Sequence, residues 1–241
     1  MTKSELLQNA KPILFNTEML QAILDGRKTV TRRVIKPQTV TQNKPDGQTT
    51  ISLTKFMETN KADAEAICLC CAPFQPNDIL YVRETWQKWD ENLKDDYIYK
   101  ACHEDIAETY KSIGIKWRSP RFVPKEAARL FLKVTDVKVE RVQDITEEQA
   151  EKEGAYKAVW NVSTAKQRDK IQQPTFVNGF ANLWNDMYAK PKPAKHNGII
   201  THYASYPWEN IKETREYKDK KWYVMGNPFV WVYEFERVGA E

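Results

Sequence analysis

Two stretches of this chain repeat with a period of two residues, and they constrain the fold more than any other feature. Phe229, Trp231, Tyr233 and Phe235 alternate with Val230, Val232, Glu234 and Glu236. Side chains that recur every second residue line one face of a strand, so this run predicts a strand that closes a sheet. The second stretch carries Leu130, Leu132 and Val134, then Val137, Val139 and Val142 beyond a bend expected near Thr135 and Asp136. It reads as the central pair of strands.

Helical signals are few and sit at set places. Ile13, Leu14 and Phe15 read as a short buried strand, after which Asn16 and Thr17 offer N-caps to a helix with Met19, Leu20, Ile23 and Leu24 on one stripe. Gly26 should stop that helix, because glycine accepts the left-handed backbone that follows a helix end. The chain then enters the β-rich residues Thr29, Val30, Thr31, Val34 and Ile35. Pro76, Asn77 and Asp78 punctuate a strand at residues 79–84, and residues 97–101 predict another, both assigned to the barrel described below. Between them Trp86 and Trp89 read as lids over the core more than as stacking surfaces. Thr146 with Gln149 forms a capping box for a short helix that Gly154 ends. Thr175 caps a second helix whose core stripe is Phe176, Phe180, Leu183, Trp184 and Met187.

Strand, helix, several strands, helix, strand, with no regular βαβ rhythm, predicts an α+β fold: a small antiparallel or mixed β-barrel with packed helices. The 241 residues are expected to form a single domain, 1–241, carrying two polar insertions at about 38–75 and 155–226. Residues 38–66 should add little to the core, and residues 189–223, rich in Lys, Pro, Tyr and Asn, read as a long loop region that orders only on a partner.

Composition excludes several classes. No apolar run is long enough for a membrane span, and MTKSELLQNAKP lacks the apolar stretch of a signal peptide, so a cytoplasmic protein without membrane association is expected. Cys68, Cys70, Cys71 and Cys102 suit neither a disulfide framework nor paired zinc ligands, so reduced thiols are expected, with no metal and no cofactor. His103, His196 and His202 show no metal spacing, and no glycine-rich phosphate loop is present. The net charge of +4 permits a phosphate-bearing partner. Its basic residues gather at Arg27, Lys28, Arg32, Arg33 and Lys36, at Lys116, Arg118, Arg121 and Lys125, and between residues 190 and 221, where a solvated face is the preferred reading.

The octet Gly26-Arg27-Lys28-Thr29-Val30-Thr31-Arg32-Arg33 carries the chemistry. Preceded by its helix, GRKTVTRR resembles the signature of the ASCH superfamily, small PUA-like barrels associated with nucleic acids. PNDILYVRETW, ARLFLKVTDVKVERVQDIT and NPFVWVYEFERV support the likeness, which covers about half the chain and is similar to the longer ASCH-like proteins of phages and prophages. The resemblance implies a PUA-like fold and a nucleoside or nucleic-acid partner, RNA ahead of DNA.

The smallest bacterial members of that family are amidohydrolases of N4-acetylcytidine that use a Lys, a Thr and a Glu. The matching positions are Lys28, Thr31 and Glu153. Threonine is a poor nucleophile near neutral pH and needs a base, so Lys28 would have to spend part of its time neutral, against a usual pKa of about 10.4. Glu153 sits in the last turn of its helix, where a carboxylate opposes the macrodipole. Lys28 and Thr31 would face one pocket only if Lys28 lies in the turn before the strand. On the strand itself Thr29, Thr31 and Arg33 share a face that grips a phosphate or base edge equally well without catalysis. Ligand contacts are expected from Arg27, Thr29, Arg32, Arg33, Arg83, Trp86, Trp117, Arg118 and Arg121. Three readings stay open: hydrolase, non-catalytic RNA- or DNA-binding module, and metal-independent ribonuclease.

Overall fold

A computed structural model describes residues 2–44, 47–88, 97–102, 109, 112, 114, 116–159 and 173–239. In chain order its elements are α1 (Lys3–Asn9), β1 (Lys11–Leu14), α2 (Thr17–Leu24), β2 (Val30–Val34), β3 (Thr39–Lys44), β4 (Gly47–Ser52), α3 (Leu53–Thr59) and α4 (Lys61–Cys70). There follow β5 (Ile79–Arg83), β6 (Trp86–Lys88), β7 (Tyr97–Tyr99), β8 (Phe131–Arg141), α5 (Glu147–Lys152) and α6 (Phe176–Tyr188). The last five are β9 (Lys192–His196), β10 (Ile199–Ser205), β11 (Lys212–Tyr217), β12 (Lys220–Met225) and β13 (Phe229–Val238).

The fold is α+β, as the order of sequence patterns predicts. Its strands form a five-stranded sheet in the order β1-β5-β8-β13-β2, a four-stranded sheet in the order β11-β12-β10-β9, and the pairs β3-β4 and β6-β7. No closed barrel is found among the described residues. β8 runs unbroken from Phe131 to Arg141, so the bend expected at Thr135 and Asp136 is absent and one strand stands where a pair is predicted. The 97–101 segment forms only the three-residue β7, paired with β6 and not with the large sheet. Trp89 and His103 lie outside the described residues.

The chain divides into two compact units. The first comprises Met1–Thr29, Pro73–Val137 and Tyr233–Glu241. Thr2 and Glu5 close a capping box on α1, and the Asn16 side chain accepts the Met19 N–H at 2.8 Å to start α2. β1 runs parallel to β5, which pairs antiparallel with β8. Leu80 and Val82 are buried on one face of β5, and Ile79 and Tyr81 pack with Leu6 and Phe131. A smaller cluster joins Trp86, Val123 and Ala127.

The second unit comprises Val30–Ala72 and Lys138–Val232. Its core gathers Val30 and Val34, Val142 and Ile145, Phe180 and Trp184, and Val230 and Val232. The α6 stripe is core, as its spacing predicts, and the buried indole of Trp184 donates to the Tyr206 carbonyl at 2.8 Å.

Both polar stretches differ from expectation. Residues 38–66 include α3 and much of α4, whose Leu53, Phe56, Met57 and Ala64 are buried; the i, i+3, i+4 spacing of the first three aims them to one side of the helix. Residues 189–223 hold all or most of four strands and are not a loop. Asn197 and Gly198, both at positive φ, turn β9 into β10, and Lys218 and Asp219 turn β11 into β12. Two-residue turns with left-handed backbone match the twist of a hairpin and set its register, even where the strands are polar.

Candidate functional site

The α2 helix ends where the sequence says it must. Gly26 takes φ +76°, its N–H reaches the Ile23 carbonyl at 3.1 Å, and the Lys28 N–H reaches the Ala22 carbonyl at 2.9 Å. Lys28 therefore lies between the end of α2 and the start of β2. Its side chain is 1% exposed, with Nζ 5.8 Å from the centre of the Phe15 ring. Arg27 pairs with Asp25 at 3.3 Å near the surface, a contact worth at most about 1 kcal/mol. Thr29 is exposed.

Thr31, Arg32 and Arg33 belong to the second unit. Along β2, Val30, Arg32 and Val34 fall on one face by alternation and Thr31 and Arg33 on the other. Thr31 is buried and Arg33 half-buried. Arg32 lies between two core valines with its side chain fully covered, and three acceptors hold it there. Nε donates to Glu140 Oε1 at 2.9 Å, Nη2 to Gln149 Oε1 at 2.9 Å and Nη1 to Glu153 Oε1 at 3.2 Å. The guanidinium carbon stands 5.9 Å from the Phe180 ring centre.

This network resolves the oddity of Glu153. Thr146 and Gln149 form the predicted capping box of α5, Glu153 is its C-cap, and Gly154 follows at φ +82°. A carboxylate at that end opposes the helix dipole, and the Arg32 guanidinium supplies the compensating charge. Glu153 thus enters any function already engaged by Arg32. Sequence reasoning marks Gln149 only as a capping-box residue and does not mark Glu140; the signal available is Arg32 alternating with two core valines, which demands buried acceptors.

The remaining nominated residues lie in the first unit. Trp86 is 3% exposed, with its ring 5.6 Å from that of Tyr97 and the Arg118 guanidinium 5.1 Å above it. Trp86 and Arg118 exchange both backbone hydrogen bonds, at 2.8 and 3.3 Å. The Trp86 ring is a core lid and not an open stacking face. Trp117 is half-buried, and Arg118 and Arg121 are exposed. Arg83 Nε, Trp86 Nε1 and Gln87 Oε1 are buried without a hydrogen-bond partner among the described residues. Beside them lies a cluster that sequence reasoning missed. Arg129 donates to both oxygens of the buried Glu84 at 2.8 Å, and its Nη1 lies 2.9 Å from Cys102 Sγ. Its guanidinium carbon stands 4.2 Å from the Tyr99 ring centre. Burial, with the Glu84 carboxylate adding to it, pushes the Tyr99 phenol up to about 12.

No protein-family model, curated protein or solved structure matches this chain. Its site is therefore read from its own chemistry. Among the described residues no group of His, Cys, Asp and Glu side chains is gathered to hold a metal ion. Cys68 is buried, and burial pushes its thiol up to about 11, whereas Cys70, Cys71 and Cys102 are exposed. No helix among the described residues is long and apolar enough to cross a membrane. The second unit also holds an open groove of about 530 Å³ whose lining includes Met57, Glu58, Glu140, Arg141 and Phe229. Burial lowers the Arg141 pKa, and its guanidinium carbon lies 3.9 Å from the centre of the Phe229 ring.

Proposed function

We propose that this chain is a PUA-like protein of ASCH type that binds a modified nucleoside or a nucleic-acid segment through the turn at residues 26–33. The observation that carries the reading is the burial of Lys28. Removing an ammonium from water costs several kcal/mol that its protein partners must offset, and Lys28 is buried at 1% exposure. It comes at the position where GRKTVT resembles the family's functional lysine. Buried charged groups of this kind cluster at working sites.

The amidohydrolase version asks more of the same residues. Thr31 Oγ would attack the acetyl carbon of N4-acetylcytidine as Lys28 takes its proton, that proton would pass to cytosine N4 as the C–N bond breaks and the amine leaves, and water would then cleave the acyl-Thr31 ester to release acetate. Glu153, engaged by Arg32, is assigned to orienting that guanidinium.

Acetate release from N4-acetylcytidine and nucleoside affinity by calorimetry test both versions. Lys28→Ala should lower turnover by roughly 10²–10⁴-fold, the range typical of a removed acid–base group. Thr31→Ala should abolish turnover while leaving affinity nearly intact, because its hydroxyl is needed for bond making. Wild-type protein that binds the nucleoside and releases no acetate would leave recognition without hydrolysis. No nucleoside binding, together with nucleic-acid binding that Lys28→Ala leaves unchanged, would refute the proposal.

A further inference from the structure

The four-stranded sheet holds the charge of the molecule. Between residues 190 and 223 there are eight Lys or Arg and four Asp or Glu, and that difference of +4 equals the net charge of the entire chain. The rest of the chain is balanced. Folding places this excess on strands with both edges unpaired within the sheet, since β11 and β9 are its outer members.

One face of the sheet combines these charges with aromatic rings. Register pairs Tyr203 with Trp222 and Trp222 with Arg215, and directly paired residues share a face. By the two-residue period Tyr217, Lys220 and Lys195 fall on the same face. The rings of Tyr203 and Tyr217 meet edge-on at 4.9 Å, and those of Tyr217 and Trp222 at 6.2 Å. Trp222 Nε1 is tied to Ser205 Oγ at 2.9 Å, which fixes its ring. The Arg215 guanidinium stands 5.1 Å over that ring. Tyr203 is buried; Tyr217 and Trp222 are half-exposed, and Lys195, Arg215 and Lys220 are exposed. Arg215 also pairs with Glu213, but an exposed pair of this kind is worth at most about 1 kcal/mol and yields to a phosphate.

We infer that this face binds a single-stranded nucleic acid, with Lys195, Arg215 and Lys220 on phosphates and bases stacking at Trp222 and Tyr217. Fixed half-exposed rings offer a base a stacking surface, and cations spaced across neighbouring strands suit a backbone that passes over them. A duplex keeps its bases stacked on one another and gains nothing from the rings, so the surface selects an open strand. The inference extends the nucleoside reading to the strand that would carry the nucleoside, and it stands on residues that reading does not use.

Fluorescence anisotropy with a labelled 12-nucleotide RNA, its DNA counterpart and a 12-base-pair duplex tests it. Three phosphate contacts on a single strand predict a slope of about −2 in log affinity against log salt, or roughly a 20-fold loss between 50 and 200 mM. The triple variant Lys195→Ala, Arg215→Ala, Lys220→Ala should flatten that slope toward zero and weaken binding at 50 mM by at least about tenfold. Circular dichroism should show it folded, because all three side chains are exposed. Lys55→Ala with Lys61→Ala, which removes two lysines outside the sheet, should leave binding unchanged. The triple variant should keep its nucleoside affinity by calorimetry, so failure of the nucleoside site and failure of the sheet are separable. The inference is overturned if wild-type protein does not bind the strands, if the triple variant keeps its slope, or if the duplex binds as tightly as a single strand.

Discussion

Arg32 is the residue whose sequence reading and structural position differ most, and replacing it with methionine separates the two. Its guanidinium is fully covered and bonded to Glu140, Gln149 and Glu153. Methionine keeps much of the aliphatic volume between Val30 and Val34 and removes the charge. Glu140, with 18% of its side chain exposed, can turn toward water; Glu153, at 4%, cannot. Removing one member of a buried pair typically costs about 3–5 kcal/mol because the remaining carboxylate loses the guanidinium that offsets its burial. For a chain of this size each kcal/mol moves the melting temperature by about 2–4 °C, so a loss of about 4 kcal/mol predicts a fall of roughly 8–16 °C. Calorimetry on Arg32→Met measures it, and the double variant Arg32→Met/Glu153→Gln supplies the control. With that buried carboxylate neutralised the double variant should recover about half the loss, a coupling of about 2 kcal/mol. If Arg32→Met melts within about 3 °C of wild type and instead loses nucleoside or strand affinity, then Arg32 faces ligand, as the basic cluster alone suggested, and the structural assignment is wrong.

Two further substitutions probe the second unit. The Glu147 carboxylate accepts the Phe176 and Val177 N–H groups at 2.9 and 3.1 Å; burial works against its charge, but those bonds outweigh it and lower its pKa. Glu147→Gln should therefore cost about 1 kcal/mol near pH 7. With a lowered native pKa, that contribution is complete above the unfolded value of about 4.3 and is lost as pH falls through the native value, so melting temperatures of variant and wild type should converge toward about pH 3. Gly179→Ala in α6 sets two effects against each other. Alanine favours a helix by about 1 kcal/mol, but a Cβ here would overlap the Tyr156 carbonyl oxygen and come within 3.0 Å of its carbon. Backbone cannot rotate aside as a side chain can, so we expect a net loss of about 2 kcal/mol or more, and a rise in melting temperature would refute the close approach.

Much of the framework was legible because its signals are local. Asn16 starts α2, Gly26 ends it, Thr146 and Gln149 open α5, and the stripe from Phe180 to Trp184 turns inward, each for the reason the residues themselves supply. Strand β13 was found because its alternation is long. What failed was pairing. The strands β9 to β12 contain Lys192, Pro193, Lys195, Lys212, Glu213 and Glu216, whose composition belongs to loops. Their order comes from cross-strand partners as far apart as Tyr203 and Trp222, which no local period reports. Asn197-Gly198 was the available signal, since that dipeptide favours a two-residue hairpin turn, and the weak strand propensity on either side hid it. The closed barrel is a pairing statement of the same kind.

The candidate site shows how composition and periodicity divide one motif. By composition Arg27, Lys28, Arg32 and Arg33 form a single basic cluster, which invites a single function. Geometry gives them different roles. Arg27 precedes the strand and holds Asp25 at the surface, Lys28 is buried in the turn, and Arg32 shares a strand face with Val30 and Val34. Alternation alone could have placed Arg32 inward, because a residue two positions from a core valine on each side must face the same way. An inward arginine requires carboxylates, and that requirement leads to Glu153, which the family likeness had nominated as catalytic. Arg32 bonds to Glu153, so both help hold the strand that carries Thr31.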